Sequence, residues 1–174
     1  MSRRVVVIGA AAWLWAAVAS AEGPAPVAIM HAKVYLPGGH APIDDATVVL
    51  SGGTVLTVGA PVALPAGVRA IDARGKVVTP GFIDAETEIG VVDVEHEPQA
   101  NDTDVRGPMT PALRMADGYN PRSALVPIAR AGGVTSVIVA PRSGLLGGQS
   151  AFADLAGDSV AEAVVRPTVA QHAH

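Results

Sequence analysis

Along residues 27–79, apolar and β-branched residues come in short runs separated by turn residues. VAIMHAKVYL ends at Pro37-Gly38-Gly39, ATVVL and TVLTVGA flank Ser51-Gly52-Gly53, and VRAID and KVVT flank Ala73-Arg74-Gly75. Val, Ile and Thr enrichment bounded by Gly and Asp is the signature of strands joined by tight turns. The pattern predicts a small all-β unit over residues 22–79.

From Pro80 the rhythm changes. GFIDAETEI predicts a strand, and a long polar loop runs from Val94 to Gly118. Asn120 then offers an N-cap oxygen with Pro121 at the first helical position. PRSALVPIARAGG predicts a helix with Ala124, Leu125, Ile128 and Ala129 on one face, stopped by Gly132-Gly133. Pro127 argues against a straight helix, since it lacks the N–H an interior position needs. VTSVIVAP is nearly unbroken in its apolar character, the pattern of a strand buried on both faces of a parallel sheet. Strand, helical crossover and buried strand make a βαβ unit with a right-handed connection. The Gly-rich run Pro141 to Ser150 predicts a loop at the carboxyl end of the second strand, where α/β folds place ligand sites. Beyond Ser150 only short apolar pieces are readable, SAFADLAG and VAEAVV.

The N-terminus reads as a targeting segment. Arg3 and Arg4 precede an apolar run from Val5 to Ala19, and Ala19-Ser20-Ala21 is a small-residue cleavage signal. These features predict a signal peptide over residues 1–21 and an exported protein, periplasmic or secreted. The run is short for a membrane span, and Pro24 and Pro26 oppose the alternative of a retained anchor helix. The paired arginines also admit twin-arginine export.

Composition narrows the classes of function. With 174 residues, 49% of them apolar, the chain can build a core. Its net charge of −4 becomes −6 once Arg3 and Arg4 are removed, and no Lys/Arg cluster exists, which excludes nucleic acid as a partner. The absence of Cys excludes a disulfide framework, a thiolate zinc site and a cysteine nucleophile.

Half of the 16 acidic residues fall between Asp84 and Asp104, with no Lys or Arg among them. Asp84, Glu86 and Glu88 alternate along the predicted strand, which puts all three on one face. Three carboxylates on one face repel unless a cation sits among them. The readings are a solvated acidic loop, a hard-cation site suited to Ca²⁺, Mg²⁺ or Mn²⁺, or carboxyls kept protonated by their neighbours. Other candidates are weaker. GLLGGQS lacks the Lys of a phosphate loop and the spacing of a dinucleotide fingerprint, and Ser143 and Ser150 lack a G-x-S-x-G elbow. His31 and His40 read as strand or surface residues, His96 lies in the acidic loop, and His172 and His174 sit at a terminus that frays.

DATVVLSGGTVLTVGA followed by AIDARGKVVTPGFIDAETEIG resembles the opening of the amidohydrolase superfamily, where a β-sandwich segment ends in Gly-Lys-x-x-x-Pro-Gly-x-x-Asp-x-His-x-His. TPALRMADGYNPRSALVPIARAGGVTSVIVAPRSGLLGGQSAFADLAG resembles its imidazolonepropionase-like branch. The resemblance implies an α/β fold: the N-terminal part of a composite β-sandwich over residues 22–79, then the first strands of an incomplete (β/α)8 metal-dependent hydrolase barrel over residues 80–174. It implies hydrolysis of non-peptide C–N bonds of a small molecule by a metal-activated water. Glu86 and Glu88 match the two family histidines, Asp84 matches the preceding aspartate, and Gly147, Gly148 and Gln149 fall in the loop near the site. Zinc is the family ion, but carboxylates in place of imidazoles favour Mn²⁺, Mg²⁺ or Ca²⁺, or leave no ion bound. Only two of eight barrel strands are legible. The chain is therefore expected to be inactive alone, as a truncated frame, as a non-enzymatic module, or as one half of a split hydrolase completed by a second polypeptide. After cleavage no membrane association is expected.

Overall fold

The strand-forming runs of the first segment pair into one sheet. In the computed structural model, residues 25–93, 101–103, 109–142 and 144–173 are described. The predicted signal peptide, His96, Ser143 and His174 lie outside them. The chain divides into two units, one ending at Val78 and the other beginning at Thr79.

The first unit holds β1 (Val27–Val34), β2 (Ile43–Ser51), β3 (Thr54–Gly59), β4 (Arg69–Asp72) and β5 (Val77–Val78). Their order is β3-β2-β1-β4, with β5 also on β1. β2 and β3 form a hairpin through Gly52 and Gly53, whose φ values of 57° and 78° are those of a tight turn matched to strand twist. β1 runs antiparallel to β2 but parallel to β4 and β5. Among the described residues the unit is thus a single mixed sheet, not the two packed layers of a sandwich. Its core gathers Ala32, Val34, Ala46, Val48 and Ala73. His31 lies in a bulge of β1, its Nδ1 2.7 Å from Asp45 Oδ1.

The second unit holds β6 (Phe82–Thr87), α1 (Met115–Gly118), α2 (Leu125–Ala131), β7 (Val134–Val139), β8 (Gly148–Asp154), α3 (Val160–Ala163) and β9 (Val164–His172). The sheet order is β6-β7-β8-β9. β6 and β7 are parallel, and α1 and α2 lie in the crossover between them, so the predicted βαβ connection is present. β8 then returns antiparallel to β7, and β9 antiparallel to β8. Among the described residues of this unit, parallel pairing is confined to β6 and β7, and neither sheet closes. Val137 and Val139 of β7 are fully buried, each contributing roughly 1.5–3 kcal/mol by leaving water. They meet Val91, Met115, Tyr119, Val126 and Leu155 in one core.

Two local expectations are corrected. α2 starts at Leu125, not Pro121, because residues 120–123 make turns of their own. Asn120 Oδ1 accepts from Arg122 N–H at 3.0 Å, and Asn120 O accepts from Ser123 N–H at 3.1 Å. Pro127 is then the third helical residue, in the first turn, where its missing N–H leaves no bond unmade. The buried side of α2 carries Val126, with Ala129 packed against the core, while Leu125 and Ile128 are exposed. The second correction concerns the Gly-rich loop: Gly148, Gln149 and Ser150 already belong to β8. Gly132-Gly133 do stop the helix, Gly132 N–H donating to the carbonyls of Ile128 and Ala129.

Candidate functional site

β6 and β7 end side by side, and what emerges there decides the chemistry. Asp84 pairs with Val137 and Thr87 with Val139, so three steps along β6 match two along β7. Such a bulge inserts a residue and resets the alternation of side chains. The equal spacing of Asp84, Glu86 and Glu88 therefore does not give them a common face. Asp84 turns back on its own strand, its Oδ1 accepting from Glu86 N–H at 3.3 Å. Glu86 is exposed, and Glu88 stands just beyond the strand.

Glu88 is held from both ends. Its carbonyl accepts from Val91 and Val92 N–H, each at 3.0 Å, which shapes the turn containing Gly90. Its carboxylate meets Arg142 Nη2 at 2.5 Å from Oε2. Thr103 Oγ1 lies 3.4 Å from Glu88 Oε1 but 2.7 Å from Asn101 Oδ1, so its single proton serves the nearer acceptor. Arg142 stands three residues past the end of β7, where Ala140 N–H donates to Thr87 O at 3.1 Å and carries the strand pairing past Val139. Sequence reasoning missed Arg142, although a base shortly after the predicted second strand, at the end where the acids emerge, was an available signal.

These residues line a cleft of about 580 Å³ at the carboxyl ends of β6 and β7. Glu86, Glu88, Asp93 and Arg142 supply charge, and Ile89, Val92, Leu125 and Pro141 supply apolar wall. Asp93 accepts from Asn120 Nδ2 at 3.2 Å, fastening the cleft to the crossover. The position is the one where open α/β sheets bind ligands.

Gly147, Gly148 and Gln149 do not line this cleft. Gln149 N–H donates to Leu113 O at 2.7 Å and its Nε2 to Pro111 O at 3.2 Å, while Gly147 N–H donates to His172 O at 3.0 Å. The three fasten β8 to its neighbours. Ser150 is fully buried in β8, its hydroxyl 3.4 Å from Ala170 O, and is no exposed nucleophile.

A resident metal ion needs several donors converging on one point. Among the described residues no group of three or more His, Cys, Asp or Glu converges in this way, and Glu88 is already paired with a guanidinium. As arranged, these residues do not fit a resident ion.

No protein-family model and no curated protein matches the sequence. Among solved structures, the chain is similar over 83% of its length to an amidohydrolase from Thermotoga maritima, at 31% identity and a TM-score of 0.72, covering 38% of that chain. Lesser similarities reach a prolidase solved with N-methylphosphonate-L-proline (26% identity, TM-score 0.43, 66% of this chain and 26% of that one). A molinate hydrolase is similar at 24% identity and a TM-score of 0.35, over 40% of this chain and 15% of that one. The chain spans well under half the length of each of these proteins. Over the portion shared with the Thermotoga maritima protein, its fold is that of the amidohydrolase superfamily.

Proposed function

We propose that this chain is an exported amidohydrolase-like protein of the imidazolonepropionase-like branch. In this reading it forms one substrate-facing wall of a hydrolase for non-peptide C–N bonds and turns over no substrate alone. The observation that carries the reading is the 31% identity, at a TM-score of 0.72, to an amidohydrolase over 83% of the chain. The cleft at the ends of the parallel pair β6–β7 agrees with it, since that is where such folds do their chemistry. The finer branch rests on the motif run from Thr110 to Gly157. Glu86 and Glu88 occupy the wall, and no step is assigned to a metal.

A second polypeptide belongs to the proposal. Among the described residues β6 is the edge of its sheet, open to backbone pairing with one more strand, and Phe82 and Ile83 on it are 60% and 59% exposed. The test is an assay of purified residues 22–174 against cyclic amides, imides and ureas, alone and co-expressed with the polypeptide encoded downstream. Turnover is expected only in the co-expressed complex. Turnover by the chain alone, lost in Glu86→Gln, would overturn the incomplete-wall reading, and no turnover in the complex would overturn the hydrolase reading. Export predicts a mature N-terminus at Glu22; recovery of the intact chain from the cytoplasm alone would sink that part.

A further inference from the structure

We infer that Arg142 is the resident cation of the cleft, a guanidinium that neutralises Glu88 and keeps a divalent ion off that carboxylate. The side chain of Glu88 is only 21% exposed, and a carboxylate so far withdrawn from water needs a partner. Its partner is Arg142 at 2.5 Å, because the hydroxyl of Thr103 is committed to Asn101. A charge-assisted bond between a guanidinium and a carboxylate is stronger than one between neutral groups. Arginine's planar guanidinium also matches the geometry of a carboxylate better than a compact ammonium does.

The tether makes the arrangement local. Ala140 and Pro141, the two residues before Arg142, are buried, and Ala140 is bonded to Thr87. The guanidinium therefore pivots from a fixed point beside the end of β6. Its side chain is 66% exposed, so it can leave Glu88 without disturbing the core. A divalent ion approaching Glu88 must displace this group and then endure its repulsion across a few ångströms. The alternating carboxylates called for a cation, and the fold supplies one of its own. The inference concerns the charge of the cleft and stands whether or not the hydrolase reading holds.

Zinc and manganese titrations of residues 22–174 by calorimetry test it, comparing the wild-type chain with Arg142→Gln and Arg142→Lys. Arg142→Gln is expected to bind at least tenfold more tightly than wild type, and Arg142→Lys, which keeps a charge, to stay near wild type. Equal affinity of Arg142→Gln and wild type, including no binding by either, overturns the inference. Thermal unfolding supplies a second readout. Wild type is expected to keep its Tm in excess EDTA, whereas Arg142→Gln lowers Tm and the added change Glu88→Gln lowers it little further. A wild-type Tm that falls on chelation, or an Arg142→Gln variant as stable as wild type, also overturns it.

Discussion

Gly90 closes the run PGFIDAETEIG, and replacing it with Ala is the sharpest test of how the end of β6 is built. Its φ of +85° is one that L-residues avoid, at a cost of roughly 1–2 kcal/mol. An added Cβ would stand 2.4 Å from Tyr119 Cε2 and 2.7 Å from Tyr119 Cδ2, with Asn120 O at 3.2 Å. Tyr119 is 3% exposed and packed in the core, and Asn120 N–H is bonded to Gly90 O at 2.6 Å, so neither neighbour can step aside freely. Overpacking of this kind adds about 1–3 kcal/mol. The sum, about 2–5 kcal/mol, is a large part of the roughly 5–15 kcal/mol that a domain has in hand, and implies a Tm loss of about 10 °C or more. The assay is urea and thermal unfolding of residues 22–174 followed by circular dichroism. Gly133→Ala is the control: its φ is +90°, in the same unit, but its Cβ would meet Phe82 at an ordinary 3.4 Å. That variant should lose only the backbone part. If Gly90→Ala loses no more than Gly133→Ala, Tyr119 yields, and the claim that the ring fixes this turn is wrong.

Two further predictions use the same measurements. Gly148→Ala should destabilise by a comparable amount, because its φ is +127° and its Cβ would lie 2.7 Å from Leu113 O, a backbone atom; a Tm within a degree of wild type would contradict this. Burial first, and the charge of Asp154 second, push the Tyr119 phenol above its ordinary value of 10.0. A phenol with a raised folded-state pKa contributes its full share below pH 10, and stability falls as pH rises beyond, because the unfolded state releases the proton first. Tyr119→Phe should flatten that alkaline decline while costing little at neutral pH, since the hydroxyl finds no hydrogen-bond partner among the described residues. An unchanged alkaline limb in Tyr119→Phe would refute the assignment.

How much of the fold was legible depended on the kind of signal each element carries. β7 was legible as a strand from the β-branched run VTSVIV, but it is not buried on both faces as expected: Val137 and Val139 are buried while Thr135 is exposed. The β2–β3 hairpin was legible from Ser51-Gly52-Gly53, since two residues with positive φ leave few alternatives. β9 was not, because VVRPTVAQH is an edge strand, mostly exposed, and contains Pro167, which only an edge tolerates. The direction of β8 left no mark either: parallel and antiparallel partners of a buried strand draw on the same apolar residues. α2 was found but its buried side was misjudged. Leu125 and Ile128 are the larger apolar residues, yet Val126 is the one in the core.

The carboxylates show where reading by period breaks down. Period 2 places Asp84, Glu86 and Glu88 on one face only while the ladder is regular, and nothing in FIDAETE marks the extra residue that the bulge inserts. Acids gathered at one strand end, with no base among them, can be solvated or can draw a cation, and the sequence shows the gathering without any structure. It does not show which cation, because Arg142 reaches Glu88 only once β7 lies parallel to β6 and ends beside it. Parallel pairing brings two carboxyl ends together, so the residues just past those ends meet across the sheet although they are far apart in the chain. A base following one strand and an acid following the other is therefore a pairing that a βαβ reading can propose in advance.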